Sequence, residues 1–283
     1  MNLSIPDPAD RGYSHPEYLV TTQWLEEHLD DPEVRIVDMD RADAYPRVHI
    51  PGAVSAANQW LKRLDAPAHV LPAEPFAEYM AALGIGDDTT VVAYDSDACH
   101  NAARLFWALW YYGHQNVKLL DGGFPKWFAE GRRLDRNTPE VRPTAFTPRV
   151  DPGLIALKQD VLAYTQNSNV AIWDVRTDDE WLGLNDRATA RGGHVPNAVH
   201  LEWRNLATEG DVPVIKPAAE LKRLLAETGI APEKRVVSYC QAGVRASHGF
   251  FVLKLLGYRD AGVYDASWLE WGNALECPIV REA

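Results

Sequence analysis

The chain contains 283 residues, enough for about two domains that could each bury a core of their own. Its 40 acidic residues outnumber the 28 Lys and Arg residues, and the formal net charge of −12 argues against nucleic acid as a partner because an acidic protein repels phosphate. The most notable apolar run, at residues 105–112, is far shorter than the ~20 residues that cross a bilayer, and the N-terminus lacks the features of a secretion signal. We therefore expect a cytoplasmic protein that binds neither nucleic acid nor membranes.

Short apolar segments alternate with helical patterns along the chain. The predicted strands are residues 34–38, 91–95 and 117–121 in the first half and residues 170–174, 236–240 and 261–265 in the second half. They are too apolar for a sheet with one face in water, which favours mostly parallel strands flanked by helices on both faces. Residues 216–229 carry Pro217 near the start of a predicted helix and Gly229 just past its end. The predicted fold class is α/β.

Three sequence blocks of the first half recur in the second half, in the same order. His-Ile-Pro-Gly-Ala-Val at residues 49–54 and Val-Val-Ala-Tyr-Asp at residues 91–95 both have counterparts 145 positions later, and residues 121–127 return at 265–271. A period this long indicates two copies of one domain. Four prolines between residues 139 and 152 mark a linker. We place the first copy at residues 1–145 and the second copy at residues 146–283.

The end of the predicted strand 236–240 carries a cysteine, Cys240. The residues that follow it are Gln241, Ala242, Gly243, Val244 and Arg245, and an apolar helix is predicted from residue 246. The N–H groups of such a loop, the dipole of the helix and the charge of Arg245 all favour a thiolate, and Gly243 lets the loop turn. The matching residue of the first copy is Asp95, so we predict that only the second copy carries out thiol chemistry.

Four motifs point to a known family. They are His-Ile-Pro-Gly-Ala at residues 49–53, Asp-Val-Arg at 174–176 ahead of Gly-His-Val-Pro at 193–196, the Cys-x-x-Gly-x-Arg loop at 240–245, and Asp-x-Ser-Trp-x-Glu-Trp-Gly at 265–272. With these motifs the chain, from about residue 20 to 280, resembles the tandem-domain rhodanese-type sulfurtransferases. The resemblance implies two rhodanese-like domains, an inactive first one and a catalytic second one, and a persulfide intermediate on Cys240.

The resemblance also implies a reaction and its partners. The thiolate takes the outer sulfur of a small anionic donor, with thiosulfate favoured, and passes it to cyanide, a thiol or a thioredoxin-like protein in a ping-pong cycle. We expect no cofactor and no metal.

Two further arginines match family positions that bind the anionic end of the donor. They are Arg176 and Arg187, and a guanidinium suits this task because it binds two oxygens at once. The segment from Asp174 to His194 is nine residues longer than its first-copy counterpart and contains Arg187. The predicted substrate site comprises Arg176, Arg187 and the loop residues Gln241, Ala242, Gly243, Val244 and Arg245. In the alternative interpretation, Arg176 and Arg187 pair with nearby carboxylates on a solvated face.

The other reactive side chains are interpreted as structural. Cys99 lies beside His100, but its position matches Val244 rather than Cys240, so the loop geometry would be wrong for a nucleophile. His194 and His248 are expected to support the framework, and Cys277 is expected to have no role.

Three other functions remain open at this point. The loop after Cys240 matches neither the Arg-Lys of many thiosulfate-specific relatives nor the Gly-Ser-Gly-Val-Thr of mercaptopyruvate-specific ones, so a 3-mercaptopyruvate sulfurtransferase is an alternative. A cysteine phosphatase would have five residues between its Cys and Arg, whereas this loop has four, which disfavours phosphate. A persulfide carrier or sensor that serves a protein partner is the third alternative.

Overall fold

Each half of the chain contains a five-stranded parallel sheet. The computed structural model describes residues 5–56, 60–63 and 68–281. The strands of the first half are β1 (Leu19–Val20), β2 (Val34–Asp38), β3 (Val54–Ser55), β4 (Thr90–Tyr94) and β5 (Val117–Leu120). The strands of the second half are β6 (Ile155–Ala156), β7 (Val170–Asp174), β8 (Ala198–His200), β9 (Arg235–Tyr239) and β10 (Ala261–Tyr264). The strand orders, β1-β5-β4-β2-β3 and β6-β10-β9-β7-β8, show that both copies share one topology.

Helices flank both sheets within the described ranges. Those of the first copy are α1 (Thr22–Glu27), α2 (Ala73–Ala82), α3 (Ala102–Tyr111) and α4 (Gly123–Ala129). Those of the second copy are α5 (Lys158–Tyr164), α6 (Asp178–Trp181), α7 (Ala218–Glu227), α8 (Val244–Leu255) and α9 (Ser267–Trp271). Short 3-10 turns occupy Pro8–Arg11, Pro16–Tyr18, Pro152–Leu154 and Trp203–Leu206. The predicted α/β fold in two copies is confirmed.

The central strands β4 and β9 are buried on both faces, which explains why their sequences are continuously apolar rather than alternating. Helices α3 and α8, which follow these strands, are also buried on nearly all sides. The two helices pack against each other: the ring of Phe106 meets the edge of Phe251 with centroids 4.9 Å apart, and Trp110 meets Phe250 at 6.2 Å. The two copies therefore share one hydrophobic interface next to the loops that precede these helices.

The structure differs from the predicted elements at the end of β9. The strand ends at Tyr239, which pairs with Asp174 of β7, so Cys240 is the first loop residue rather than the last strand residue. The N–H of Cys240 donates to the hydroxyl of Ser267 at 3.0 Å instead of to a neighbouring strand. Helix α8 begins at Val244, two residues before the predicted start, so the helix N-terminus lies inside the cysteine loop.

Polar contacts also join the two copies. Tyr13 donates from its hydroxyl to the carbonyl of Ile215 at 2.8 Å, and Arg104 forms an ion pair with Asp265 at 2.7 Å. No helix in the described ranges is long and apolar enough to span a membrane.

We predict that Phe106→Ala lowers the free energy of unfolding by about 3–5 kcal/mol, because it leaves a cavity at the α3–α8 interface. Unfolding in urea measures this change. Phe128→Ala is the matched control, since Phe128 is 59% exposed and its truncation should cost less than about 0.5 kcal/mol. Equal losses in the two variants would contradict the proposed importance of the interface.

Candidate active site

Helix α9 and the loop after β9 hold Cys240 in place. Cys240 is 2% exposed, and its carbonyl accepts a hydrogen bond from the N–H of Trp268 at 2.9 Å. Ser267, which accepts the N–H of Cys240, donates its hydroxyl proton to the carbonyl of Tyr264 at 2.7 Å. The cysteine backbone is thus anchored on both sides, at the carboxyl ends of β9 and β10.

The turn after Cys240 requires a glycine. Gly243 has a φ of +80°, a conformation that side chains rarely adopt, and a Cβ there would lie 2.3 Å from Oδ1 of Asp265. Because Gly243 has no side chain, the loop packs directly against Asp265 and α8 starts at the next residue.

The N–H groups of residues 241–246 find no acceptor in the described part of the chain. Those of Val244, Arg245 and Ala246 are unpaired because they open α8, and the others belong to the turn before the helix. The first paired donor is the N–H of Ser247, which bonds to the carbonyl of Gly243 at 3.0 Å. Unpaired N–H groups at the positive end of a helix dipole favour an anion, so the loop suits a thiolate or a persulfide on Cys240.

The first copy fills the same loop with its own carboxyl group. Oδ1 of Asp95 accepts hydrogen bonds from the N–H groups of Asp97 and Cys99 at 2.8 and 3.0 Å, and Oδ2 accepts one from Ala102 at 2.7 Å. Burial raises the pKa of Asp95 to about 7, although these backbone donors oppose the shift. The loop that holds Asp95 therefore offers N–H donors to an acidic group, whereas the N–H groups of its second-copy counterpart have no acceptor among the described residues.

Arg245 is held by a carboxylate. Its guanidinium donates two hydrogen bonds to Glu180, at 2.6 and 2.8 Å, and the Glu180 side chain is 1% exposed. Burial by itself would raise the pKa of Glu180, but the hydrogen bonds and the charge of Arg245 outweigh it and lower that pKa to about 2. Arg245 interacts electrostatically with Cys240, yet Glu180 balances its charge.

The structure corrects the prediction that Arg176 binds the donor. Its side chain is 0% exposed and donates to both oxygens of Asp174 and to the carbonyl of Gly193. The guanidinium also lies 4.5 Å from the ring centroid of Trp268. A solvent-borne donor cannot reach this group, so Arg176 supports the sheet ends. For Arg176 the alternative of a carboxylate partner on a solvated face is wrong as well, because Arg176 and its partner Asp174 are both buried.

Arg187 remains at the surface. It has a φ of +51°, and its carbonyl accepts a hydrogen bond from Nε2 of Gln241 at 3.4 Å, which places the longer second-copy segment against the cysteine loop. Its exposed side chain has no ion-pair partner among the described residues.

A charged cluster from both copies borders the other side of the loop, and the sequence analysis missed it. Arg104 and Lys62 of the first copy both contact Oδ1 of Asp265, at 2.7 and 3.4 Å. Asp265 is fully buried, and although burial opposes ionisation, the charges of Arg104 and Lys62 lower its pKa. No local pattern signals this cluster, because its members come from distant parts of the chain.

The remaining thiol and imidazole groups have structural surroundings. Burial raises the pKa of Cys99 well above its ordinary value, and burial lowers the pKa of His100 to about 3. His248 contacts the carbonyl of Ala98 at 3.1 Å, and His194 stacks on Trp181 with ring centroids 3.4 Å apart. The described residues hold no group of three or more His, Cys, Asp and Glu side chains arranged for a metal.

Curated proteins resemble the chain over nearly its whole length. It is 38% identical over 285 residues to the sulfur carrier protein TtuD of Thermus thermophilus, an alignment that covers 95% of this chain and 99% of that protein. It is 37% identical to a thiosulfate sulfurtransferase of Corynebacterium glutamicum, over 97% of this chain and 94% of that protein. The putative thiosulfate sulfurtransferase SseA of Mycobacterium bovis is 38% identical with the same coverage.

Solved structures share the fold at lower identity. The wild-type structure of EanB superposes with a TM-score of 0.85 at 23% identity, covering 95% of this chain and 70% of that chain. An anaerobic ergothioneine biosynthesis enzyme from Chlorobium limicola gives 0.84 at 24% identity, covering 95% and 71%. The profile of the Rhodanese-like domain matches residues 21–130 and 157–274.

We predict that Glu180→Gln destabilises the protein at pH 7 by about 1–3 kcal/mol, since it leaves the partly buried Arg245 without a charged partner. The folded-state pKa of Glu180, about 2, lies below the ordinary value of 4.5, so this stabilisation is complete above pH 4.5 and disappears as the pH falls towards 2. Urea unfolding at several pH values tests both statements.

The control is Glu227→Gln, because Glu227 pairs with Arg223 on the exposed face of α7 and its loss should cost less than about 0.5 kcal/mol. A stability difference for Glu180→Gln that persisted at pH 2 would show that the charge of Glu180 is not its cause.

Proposed function

The chain belongs to the family of proteins with Rhodanese-like domains, and from that premise we propose that it transfers sulfane sulfur from thiosulfate to a thiophilic acceptor through a persulfide on Cys240. The observation that carries the proposal is the set of unpaired N–H groups at residues 241–246, whose first-copy counterparts hold the carboxyl group of Asp95. Such donors stabilise an anionic sulfur next to Cys240 without a metal.

The reaction balances without a further co-reactant. The Cys240 thiolate attacks the outer sulfur of thiosulfate, the bond between the two sulfur atoms breaks, and sulfite leaves with the bonding electrons. The terminal sulfur of the resulting persulfide carries the negative charge that the loop N–H groups of Gln241, Ala242, Gly243 and Val244 can bind. Cyanide or a thiolate then attacks that sulfur, and the Cys240 thiolate is regenerated.

Thiosulfate is proposed over 3-mercaptopyruvate because several similar proteins carry the name thiosulfate sulfurtransferase. Glu180 neutralises Arg245 and Arg176 is buried, which leaves Arg187 as the predicted arginine able to meet a donor arriving from solvent. We propose that Arg187 attracts the sulfonate end of thiosulfate.

The acceptor is proposed to be a small thiophile, with cyanide or a thiol as the simplest choices. A second candidate function is sulfur delivery to a protein partner such as a thioredoxin-like protein, which the similarity to the sulfur carrier TtuD favours. Both functions use the same Cys240 persulfide and differ only in the acceptor.

We propose that the boundary between the two domains lies at about residue 145 and that the domains have different roles. Residues 1–145 form the non-catalytic domain, in which Asp95 occupies the loop, and residues 146–283 form the catalytic domain.

We predict that Cys240 is the residue that carries transferable sulfur. After incubation with thiosulfate, intact mass spectrometry should find one added sulfur atom on the wild type and on Cys99→Ser, and none on Cys240→Ser. Cys99 is the matched control because it lies in the corresponding first-copy loop, with its sulfur 3.6 Å from the carbonyl of Leu120. Sulfur loading that survives in Cys240→Ser would refute the mechanism.

We predict that Arg187→Ala lowers kcat/KM for thiosulfate by about 10- to 100-fold, because a charge-assisted contact is lost. Discharge of the preloaded persulfide by cyanide should change much less, since the donor has already left. Arg223→Ala, which removes an exposed arginine of α7, should leave both steps at wild-type rates. Wild-type thiosulfate kinetics in Arg187→Ala would rule out a donor role for this arginine.

A further inference from the structure

We propose that Lys62 of the first copy supplies positive charge that stabilises the anionic form of Cys240 in the second copy. This inference rests on the proposed sulfur transfer. It adds a charged residue from the first copy, which has Asp95 in place of Cys240.

The position of Lys62 is set by buried polar partners. Its side chain is 4% exposed, and Nζ donates to the carbonyl of Ala68 at 2.8 Å and lies 3.4 Å from Oδ1 of Asp265. The same oxygen lies against Gly243, since a Cβ on that glycine would be 2.3 Å from it. One carboxylate oxygen therefore separates the ammonium group from the cysteine loop.

Arg104 strengthens the positive field at this point. Its Nη1 donates to Asp265 Oδ1 at 2.7 Å and would lie 3.3 Å from a Cβ on Gly243. Its Nη2 is buried and has no hydrogen-bond partner among the described residues. Asp265 is thus shared by two cations, both of which belong to the first copy.

The charge of Lys62 and that of Cys240 influence each other. Burial lowers the pKa of Lys62 to about 8, and the charge of Arg104 lowers it too, while Asp265 and a Cys240 thiolate act in the opposite direction. Lys62 is therefore mostly protonated at pH 7. Because electrostatic coupling is mutual, a protonated Lys62 stabilises the thiolate.

Arg245, the cation that the sequence suggests, also interacts with the charge of Cys240, but it belongs to an ion pair within the second copy. Its two hydrogen bonds to Glu180 pair it with a carboxylate whose pKa is about 2, so the pair stays ionised and neutral overall across the working pH range. His100, whose pKa is about 3, is neutral in the same range. The described titratable and charged groups around the loop include Lys62, Arg104, Asp265, Arg245, Glu180, His100 and, on the longer segment that contacts Gln241, Arg187.

The test measures the alkylation of Cys240 by iodoacetamide between pH 5 and 10, followed by mass spectrometry of the peptide that contains it. Lys62→Met and Lys62→Gln should move the pH of half-maximal alkylation upwards by about one unit, because the thiolate loses a nearby positive charge. Lys62→Arg keeps the charge and should retain the wild-type midpoint. Two neutral variants are used so that a folding defect in one does not decide the outcome.

Lys126→Met is the matched control. Lys126 is 10% exposed and lies 3.6 Å from Asp121, the first-copy counterpart of Asp265, so this variant removes a similar cation away from Cys240. A wild-type midpoint in both neutral Lys62 variants, or an equal shift in Lys126→Met, would overturn the inference. A wild type that gains no sulfur from thiosulfate would instead refute the proposed function, while the alkylation midpoints would still decide the role of Lys62.

Discussion

The candidate site depends on one backbone constraint, the left-handed turn at Gly243. The close approach of this residue to Asp265 leaves no room for a side chain, and it starts α8 within four residues of Cys240. Both consequences matter for the chemistry. The early helix start leaves a run of N–H donors without acceptors, and the contact with Asp265 brings charged groups of the other copy against the loop.

The duplication of the fold explains how such a loop can be stable. In the first copy the backbone donors bind the carboxyl group of Asp95, so the loop is satisfied by its own chain. In the second copy a shorter side chain, Cys240, stands at the start of the loop and leaves the donors unused. Donors without an acceptor in the protein favour a nearby anion, and the proposed sulfur anion on Cys240 would supply one. The first copy therefore shows what kind of group the same loop can hold.

The interface between the copies contributes more than packing. Helices α3 and α8 bury aromatic rings against each other. As a result Arg104 of α3 lies at the carboxyl end of β10, where it contacts Asp265. Charge near the loop is consequently arranged in two groups: the Arg245–Glu180 pair within the second copy, and the Asp265 cluster that spans both copies. The second copy separated from the first would keep the first group and lose the cations of the second.

The sequence by itself determined the two-copy α/β fold, the strands at residues 34–38 and 170–174 and the place of Cys240 between a buried strand and a helix, because each of these is encoded locally. Apolar runs specify buried parallel strands, and a cysteine followed by Gly243 and a helix specifies its own loop. Only the tertiary structure decided which cations face the loop. Arg176 is buried and pairs with its near neighbour Asp174, and Arg245 pairs with Glu180. Lys62, which contacts Asp265, belongs to the other copy. The pairs of Arg245 with Glu180 and of Lys62 with Asp265 depend on distances of a few ångströms between segments far apart in the chain, and no pattern along one segment encodes those distances.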